Sequence, residues 1–102
     1  MKYLETKSEL EEFLSNPSAL LVIGATWCRP CMLMKPDLEK YSEGRHLAMV
    51  ILDKCDSDLT EEIKERFRIM GIPKSMQFDN GELVKETVGK LSLKDMESMF
   101  GF

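Results

Sequence analysis

Two runs of apolar residues, Ala19–Ala25 and Leu47–Leu52, constrain the fold of this chain more than any other feature. Each run is short and does not alternate with polar residues, so each predicts a β-strand that is covered on both faces. A helical pattern lies between them, with Met34, Leu38 and Tyr41 at positions i, i+4 and i+7. Two buried strands joined by a helix predict parallel neighbours and a right-handed crossover.

The other segments predict an edge strand, a hairpin and three further helices. Asn80-Gly81 is the hairpin signal, because both residues tolerate the positive φ of a type I′ turn. The order β-α-β-α-β-α-β-β-α predicts an α/β fold with three α/β/α layers, a central mixed five-stranded sheet and four helices. The predicted segments are strand Met1–Leu4, a helix capped by Thr6 or Ser8 that ends near Ser15, helix Arg29–Ser42, a helix with Leu59, Ile63 and Phe67 on its apolar face, strands Lys74–Phe78 and Leu83–Val88, and a helix capped by Ser92.

Length and charge narrow the class of protein. The chain has 102 residues, which suits a single domain over residues 1–102. A net charge of −4 argues against nucleic acid or a membrane surface as a partner, because both favour a basic face. The first residues contain no apolar run of the kind that a signal peptide needs, and three cysteines do not describe a secreted disulfide scaffold. We therefore expect a cytoplasmic protein, of a size and charge that suit a monomer.

The segment Trp27-Cys28-Arg29-Pro30-Cys31 carries the predicted chemistry. Cys28 falls at or next to the start of a helix, where free backbone amides and the helix dipole favour the thiolate. Arg29 adds a positive charge beside it. Cys31 follows one turn later on the same side of the helix, within reach of a disulfide. Cys28 is therefore predicted to attack a foreign disulfide, and Cys31 to resolve the mixed disulfide.

Four motifs in order resemble the thioredoxin family over nearly the whole chain. Ala25–Cys31 resembles its active-site run, with Arg29 where the family usually has glycine. Pro36 matches its kink proline, Gly71-Ile72-Pro73 matches its cis-proline segment, and Phe78–Gly89 resembles its final hairpin. The resemblance implies a thioredoxin fold and a thiol–disulfide oxidoreductase that reduces protein disulfides. It also implies re-reduction by a flavin-dependent thioredoxin reductase that uses NADPH, and no bound cofactor.

The resemblance also implies which residues shape the site. The Ile72–Pro73 bond is expected to be cis, with Pro73 beside the disulfide. In the family an extended substrate peptide pairs with the backbone before this proline, which is a form of strand addition. Trp27, Arg29, Pro30 and Pro73 are the site-shaping residues. The residues expected to rim a flat apolar surface, called the contact patch below, are Trp27, Pro30, Met70, Gly71, Ile72, Val88 and Gly89.

Three departures from the family pattern bear on the chemistry. Val22 stands where the family usually has a buried Asp, and the position of the Lys that faces this Asp falls near Leu52. Ser75 and Gln77 interrupt a strand that is apolar in most relatives. Without a buried carboxylate, and with Arg29 adjacent, the Cys28 thiolate is expected to be more stable. We therefore expect a reduction potential less negative than that of a typical thioredoxin, by one or two steps of about 30 mV.

Two other functions remain open at this point. A glutaredoxin-like enzyme served by glutathione is one, because Arg29 is not typical of thioredoxins. A non-catalytic binding module that keeps the fold is the other. No metal site is predicted, because Cys28 and Cys31 have no second paired motif to complete one with Cys55 or His46. Cys55 is expected to be buried and inert or to be a third oxidisable thiol, and His46 to be a solvent-facing loop residue.

Overall fold

The computed structural model describes residues 1–101 and, within them, contains five strands and four helices in the predicted order. One sheet has the strand order β1-β3-β2-β4-β5. This arrangement confirms the predicted α/β fold with a mixed five-stranded sheet. The elements are β1 (Lys2–Tyr3), α1 (Lys7–Leu14), β2 (Ser18–Gly24), α2 (Arg29–Tyr41), β3 (Leu47–Ile51), α3 (Ser57–Phe67), β4 (Lys74–Asp79), β5 (Glu82–Val88) and α4 (Leu93–Phe100).

The sheet changes from parallel to antiparallel at β2. Strands β1 and β2 pair with β3 in parallel, whereas β4 is antiparallel to both β2 and β5. In this register Val22 lies between Met49 on β3 and Ser75 on β4. Asn80 and Gly81 have φ of 51° and 83°, which are the left-handed values that the hairpin turn requires.

The sheet separates two apolar cores, one on each face. Helices α1 and α3 cover the first core, and α2 and α4 cover the second. Burying each large apolar side chain contributes about 1.5–3 kcal/mol to stability before the loss of chain entropy is considered. Both cysteines of the Trp27–Cys31 segment belong to the second core, which therefore includes the buried side of the candidate site.

The ends of the helices follow from local side chains. Thr6 caps α1 and Ser92 caps α4, each with an acidic residue three positions later that completes a capping box, namely Glu9 and Asp95. Helix α3 ends at Arg68, which has a left-handed backbone with φ of 50°. Within residues 1–101, no helix combines the length and the apolar character needed to cross a membrane.

Candidate functional site

Cys28 and Cys31 lie at the junction of β2 and α2 and form a disulfide with a Cα–Cα distance of 5.3 Å. Cys28 is the N-cap of α2, and the amide of Cys31 donates a hydrogen bond to its Sγ at 3.3 Å. Cys28 is 7% exposed and Cys31 is 0% exposed. An incoming sulfur therefore reaches Cys28 and not Cys31. When the disulfide is open, the same amide and the helix dipole favour a thiolate at Cys28.

The outer rim of the disulfide consists of exposed residues. Trp27 is 73% exposed, and Arg29 and Pro30 form the exposed first positions of α2. A proline is tolerated there because the first amides of a helix have no partner within it. The Arg29 side chain faces solvent at the positive end of the helix, so it adds its charge beside Cys28.

The inner wall of the site is apolar and tightly packed. A Cβ atom placed on Gly24 would lie 2.8 Å from Met49 Cε and 3.2 Å from Cys31 Sγ, so a larger residue would fit only after the Met49 side chain and Cys31 had shifted. Val22 is 0% exposed and pairs with Met49 on β3. The expectation that Leu52 faces Val22 is wrong: Leu52 follows the end of β3 and packs against the first core. Met49 takes that place, because neighbouring positions of a strand point to opposite faces.

Ser75 and Gln77 lie on β4 and differ in how their polar groups are satisfied. Gln77 Nε2 donates to the carbonyl oxygen of Phe100 at 3.3 Å. Ser75 is 0% exposed, and its Oγ forms no hydrogen bond with any residue of the range 1–101. Ser75 therefore adds a hydroxyl beside Val22 without supplying the charge that a carboxylate would bring.

The segments expected to form the contact patch meet beside the disulfide. The Ile72–Pro73 bond is cis, and the Gly89 amide donates to the Pro73 carbonyl oxygen at 2.8 Å. Gly71 lies so close to Val88 that a Cβ atom would be 3.0 Å from Val88 Cγ1. Met70 and Val88 are both at the surface, with 93% and 55% of their areas exposed. A cavity of about 540 Å³ lies between Trp27 and the segment before Pro73, and its lining includes Met70, Gly71 and Ile72.

Asp53 belongs to this site and is not apparent from the motif. Its carboxylate accepts hydrogen bonds from Thr26 Oγ1 and from the Thr26 amide, the latter at 2.9 Å. These bonds, the side-chain bond first, lower the pKa of Asp53 below its ordinary value of 3.8. Asp53 also lines the cavity beside Trp27. One sequence signal could have identified Asp53: it is an acidic residue that follows β3, and β3 is parallel to β2, the strand that leads to Cys28.

The sequence also led to expectations for two residues outside the Trp27–Cys31 segment, Cys55 and His46. Cys55 is a free, half-buried thiol with its Sγ 3.1 Å from Thr60 Oγ1. The expectation that His46 faces solvent is wrong, because its ring is half-buried and stacks on Phe13 with ring centroids 4.2 Å apart. In the part of the chain that the structure describes, no three His, Cys, Asp or Glu side chains are grouped to hold a metal ion.

Comparisons with known proteins agree on one family. The sequence profile named Thioredoxin matches residues 2–100. A thioredoxin from Coprinus comatus is 34% identical over 86 residues, which cover 80% of this chain and 81% of that protein. A bifunctional thioredoxin reductase/thioredoxin from Mycobacterium leprae is 33% identical over 75 residues, or 74% of this chain and 16% of that protein. The fold is similar to that of a Plasmodium falciparum thioredoxin, with a TM-score of 0.83, 22% identity and coverage of 96% of this chain and 94% of that one.

Proposed function

The chain belongs to the thioredoxin family and is a thiol–disulfide oxidoreductase that acts on protein disulfides, and we propose that Cys28 is its nucleophile and Cys31 its resolving residue. The difference in exposure between the two sulfurs supports this assignment. Cys28 is the more accessible of the two and lies at the N-cap of α2, where its thiolate is stabilised. Cys31 is fully buried and is bonded to Cys28.

The proposed reaction transfers two electrons from the dithiol to a substrate disulfide. The Cys28 thiolate attacks one sulfur of the substrate, a mixed disulfide forms, and the other substrate sulfur leaves as a thiolate. The Cys31 thiolate then attacks Cys28 Sγ and displaces the remaining substrate sulfur as a thiolate. The products are a substrate dithiol and the Cys28–Cys31 disulfide. Because Val22 and Met49 offer no base, the Cys31 proton leaves to the departing substrate thiolate or to water.

The contact patch is proposed to hold the substrate while sulfur exchange occurs. An extended substrate segment pairs with the backbone of Gly71 and Ile72, which precedes Pro73. Trp27 and Val88 supply exposed apolar surface on either side of this segment. Pro30 and Gly89 complete the rim, because both lie next to the segments that meet at the disulfide. Backbone pairing demands little of the substrate sequence, which suits an enzyme with several protein substrates.

A thioredoxin reductase is the proposed electron donor. The Mycobacterium leprae relative, whose name joins a thioredoxin reductase to a thioredoxin, supports this pairing. The proposed reaction needs no bound cofactor in this chain, since electrons move between sulfur atoms. We further propose that residues 1–102 act as one domain and as a monomer in the cytoplasm, where a reducing environment keeps Cys55 as a thiol. Faster regeneration of the dithiol by glutathione alone than by NADPH and thioredoxin reductase would instead assign a glutaredoxin-like function.

Reduction of insulin disulfides by dithiothreitol tests the proposed function. The wild-type protein is expected to accelerate the reaction well above the background rate, and Cys28→Ser to abolish this acceleration. Cys31→Ser, reduced beforehand and mixed with insulin in the absence of dithiothreitol, should accumulate a mixed disulfide with the substrate, which is visible as an adduct by mass spectrometry. Cys55→Ser is the matched control and should retain the wild-type rate. Acceleration by Cys28→Ser equal to that of the wild type would contradict the assignment.

A further inference from the structure

A second groove continues from the contact patch along the end of α3 and the strand β5. It has a volume of about 450 Å³ and shares Met70 and Val88 with the contact patch. Leu83 and Phe67 add apolar surface to it, and Arg68 and Lys74 bring positive charge. We call it the basic groove. It lies where a substrate segment would extend after crossing the contact patch.

The charges of the basic groove are not all neutralised within the protein. The Arg66 guanidinium pairs with Glu11 at 2.8 Å, and the Lys74 ammonium pairs with Glu86 at 2.7 Å. The Arg68 side chain forms neither a hydrogen bond nor an ion pair with any residue of the described range 1–101. One uncompensated positive charge therefore stands beside apolar side chains, on a chain whose net charge is −4.

The backbone of Arg68 gives a second reason to consider its side chain. Arg68 ends α3 with φ of 50° and ψ of 67°, a left-handed conformation that glycine adopts most easily. An arginine there is strained, because its Cβ crowds the following carbonyl oxygen. A guanidinium is thus held at the groove at a position where a glycine would stabilise the fold. A residue kept in a conformation that costs stability is a candidate for a functional role.

We propose that the basic groove binds an acidic side chain, Glu or Asp, of the substrate protein near its reacting cysteine. The inference rests on the proposed function, because the substrate segment reaches the groove only when its disulfide lies at Cys28. The Arg68 guanidinium can donate two parallel N–H hydrogen bonds to the oxygens of a carboxylate. Met70, Leu83 and Val88 contact the apolar part of the same segment. Charge complementarity therefore makes this enzyme prefer substrates with an acidic flank.

Three disulfide peptides test the proposal, identical except that Glu, Ser or Lys flanks the reacting cysteine. The rate constant for their reduction by the dithiol protein is measured at low and high salt. The wild type is expected to reduce the Glu peptide about 2- to 5-fold faster than the Ser peptide, as an exposed ion pair allows. Added salt should narrow the difference, because exposed charges are screened.

Two variants of Arg68 and one control separate the groove from the catalytic centre. Arg68→Glu is expected to reverse the order of the Glu and Lys peptides. Arg68→Gly should lose the preference and yet unfold at higher urea concentration, because its backbone strain is relieved. Lys94→Glu changes the same charge on α4, on the opposite face of the sheet, and should keep the wild-type preference.

The remaining outcomes decide between this proposal and its alternatives. If a protein that reduces insulin normally reduces the three peptides at equal rates, the proposal that the basic groove binds an acidic side chain is refuted, and the proposed function is not. A dimer that forms in the wild type and is lost in Arg68→Glu would assign the groove to a second copy of the chain, and would also overturn it. A protein that reduces none of the peptides would refute the proposed function and this inference together.

Discussion

Val22 and Met49 make the inner wall of the disulfide unlike that of a site with a buried acid. Both side chains are fully buried and adjacent across β2 and β3. A single carboxylate introduced there would have no cation to pair with, and an unpaired buried charge is strongly destabilising. An apolar pair avoids that penalty, but it also leaves Cys31 without a nearby proton acceptor.

Val22→Asp is expected to have opposite effects on stability and on rate. We expect a loss of about 3–5 kcal/mol in the free energy of unfolding at neutral pH, as for other unpaired buried charges. The resolving step should become faster, because a carboxylate accepts the Cys31 proton. Urea unfolding measures the first effect, and stopped-flow fluorescence of Trp27 during insulin reduction measures the second.

The double variant Val22→Asp/Met49→Lys provides the control. It should recover part of the lost stability, because the new ammonium pairs with the new carboxylate. If the two substitutions destabilise the protein additively, the two positions do not face each other as the strand register indicates.

The two capping boxes make the ends of α1 and α4 sensitive to acid. Hydrogen bonds from the backbone amide of Glu5 and then from Thr6 lower the pKa of Glu9 below its ordinary value of 4.5. Bonds from the Ser92 amide and then its hydroxyl lower the pKa of Asp95 below 3.8. Because each pKa is lower in the folded chain, the unfolded chain binds more protons in this range. The stabilisation is therefore complete above the ordinary pKa and is lost as pH falls through the folded value.

The variant Glu9→Gln/Asp95→Asn tests this pH dependence. At neutral pH it should be less stable than the wild type, because the charges that favour the helix N-termini are gone. On acidification below the ordinary values of 4.5 and 3.8, the wild type should lose stability more steeply than the variant. Asp53 titrates in both proteins and leaves a common slope. Parallel curves from urea unfolding across this range would show that the two carboxylates contribute no acid sensitivity.

Local patterns predict most of the elements, and contacts between distant segments account for what they miss. The runs of β2 and β3 stand out because strands covered on both faces are apolar throughout. Whether Met49 or Leu52 lies opposite Val22 depends on the register between β2 and β3. A shift of one residue in that register moves a side chain to the other face of the sheet. Lys74 forms an ion pair with Glu86, which lies on β5 opposite Met76. This pair depends on how β4 and β5 align, and no local pattern in the sequence encodes that alignment.

The site also has parts that short motifs predict and parts that depend on contacts between distant segments. Cys28, Cys31 and the cis-proline segment can be found from spacing and family resemblance, because each is a short motif. The basic groove cannot, since it requires the end of α3 to meet β5. Arg68 is an ordinary charged residue in the sequence, and only its left-handed backbone and missing partner single it out.

Folding and redox chemistry are linked in this protein, because the redox-active cysteine pair belongs to the folded core. Any interaction that favours the dithiol form makes the reduction potential less negative and adds the same free energy to the stability of the reduced protein. The disulfide closes the first turn of α2, and both of its cysteines belong to the second core, so the linkage involves core and helix together. The charge of Arg29 is the contribution that can be removed without disturbing either.

Arg29→Gly is expected to make the potential more negative by about 5–20 mV, which corresponds to 0.2–1 kcal/mol for an exposed charge. The difference in unfolding free energy between the dithiol and disulfide forms should change by the same amount. Equilibration with glutathione gives the potential, and urea unfolding of each form gives the stabilities. A potential that stays the same or becomes less negative would show that Arg29 does not favour the thiolate.

The close approach of Gly24, Met49 and Cys31 divides the site into two parts with different freedom to vary. Any larger side chain at position 24 would displace a sulfur and a methyl group together, whereas Arg29 and Pro30 face water. Selection for new electron-transfer partners would therefore diversify the surface loop more readily than position 24 beneath it. Descendants of this scaffold would keep a common interior while their recognition surfaces diverged.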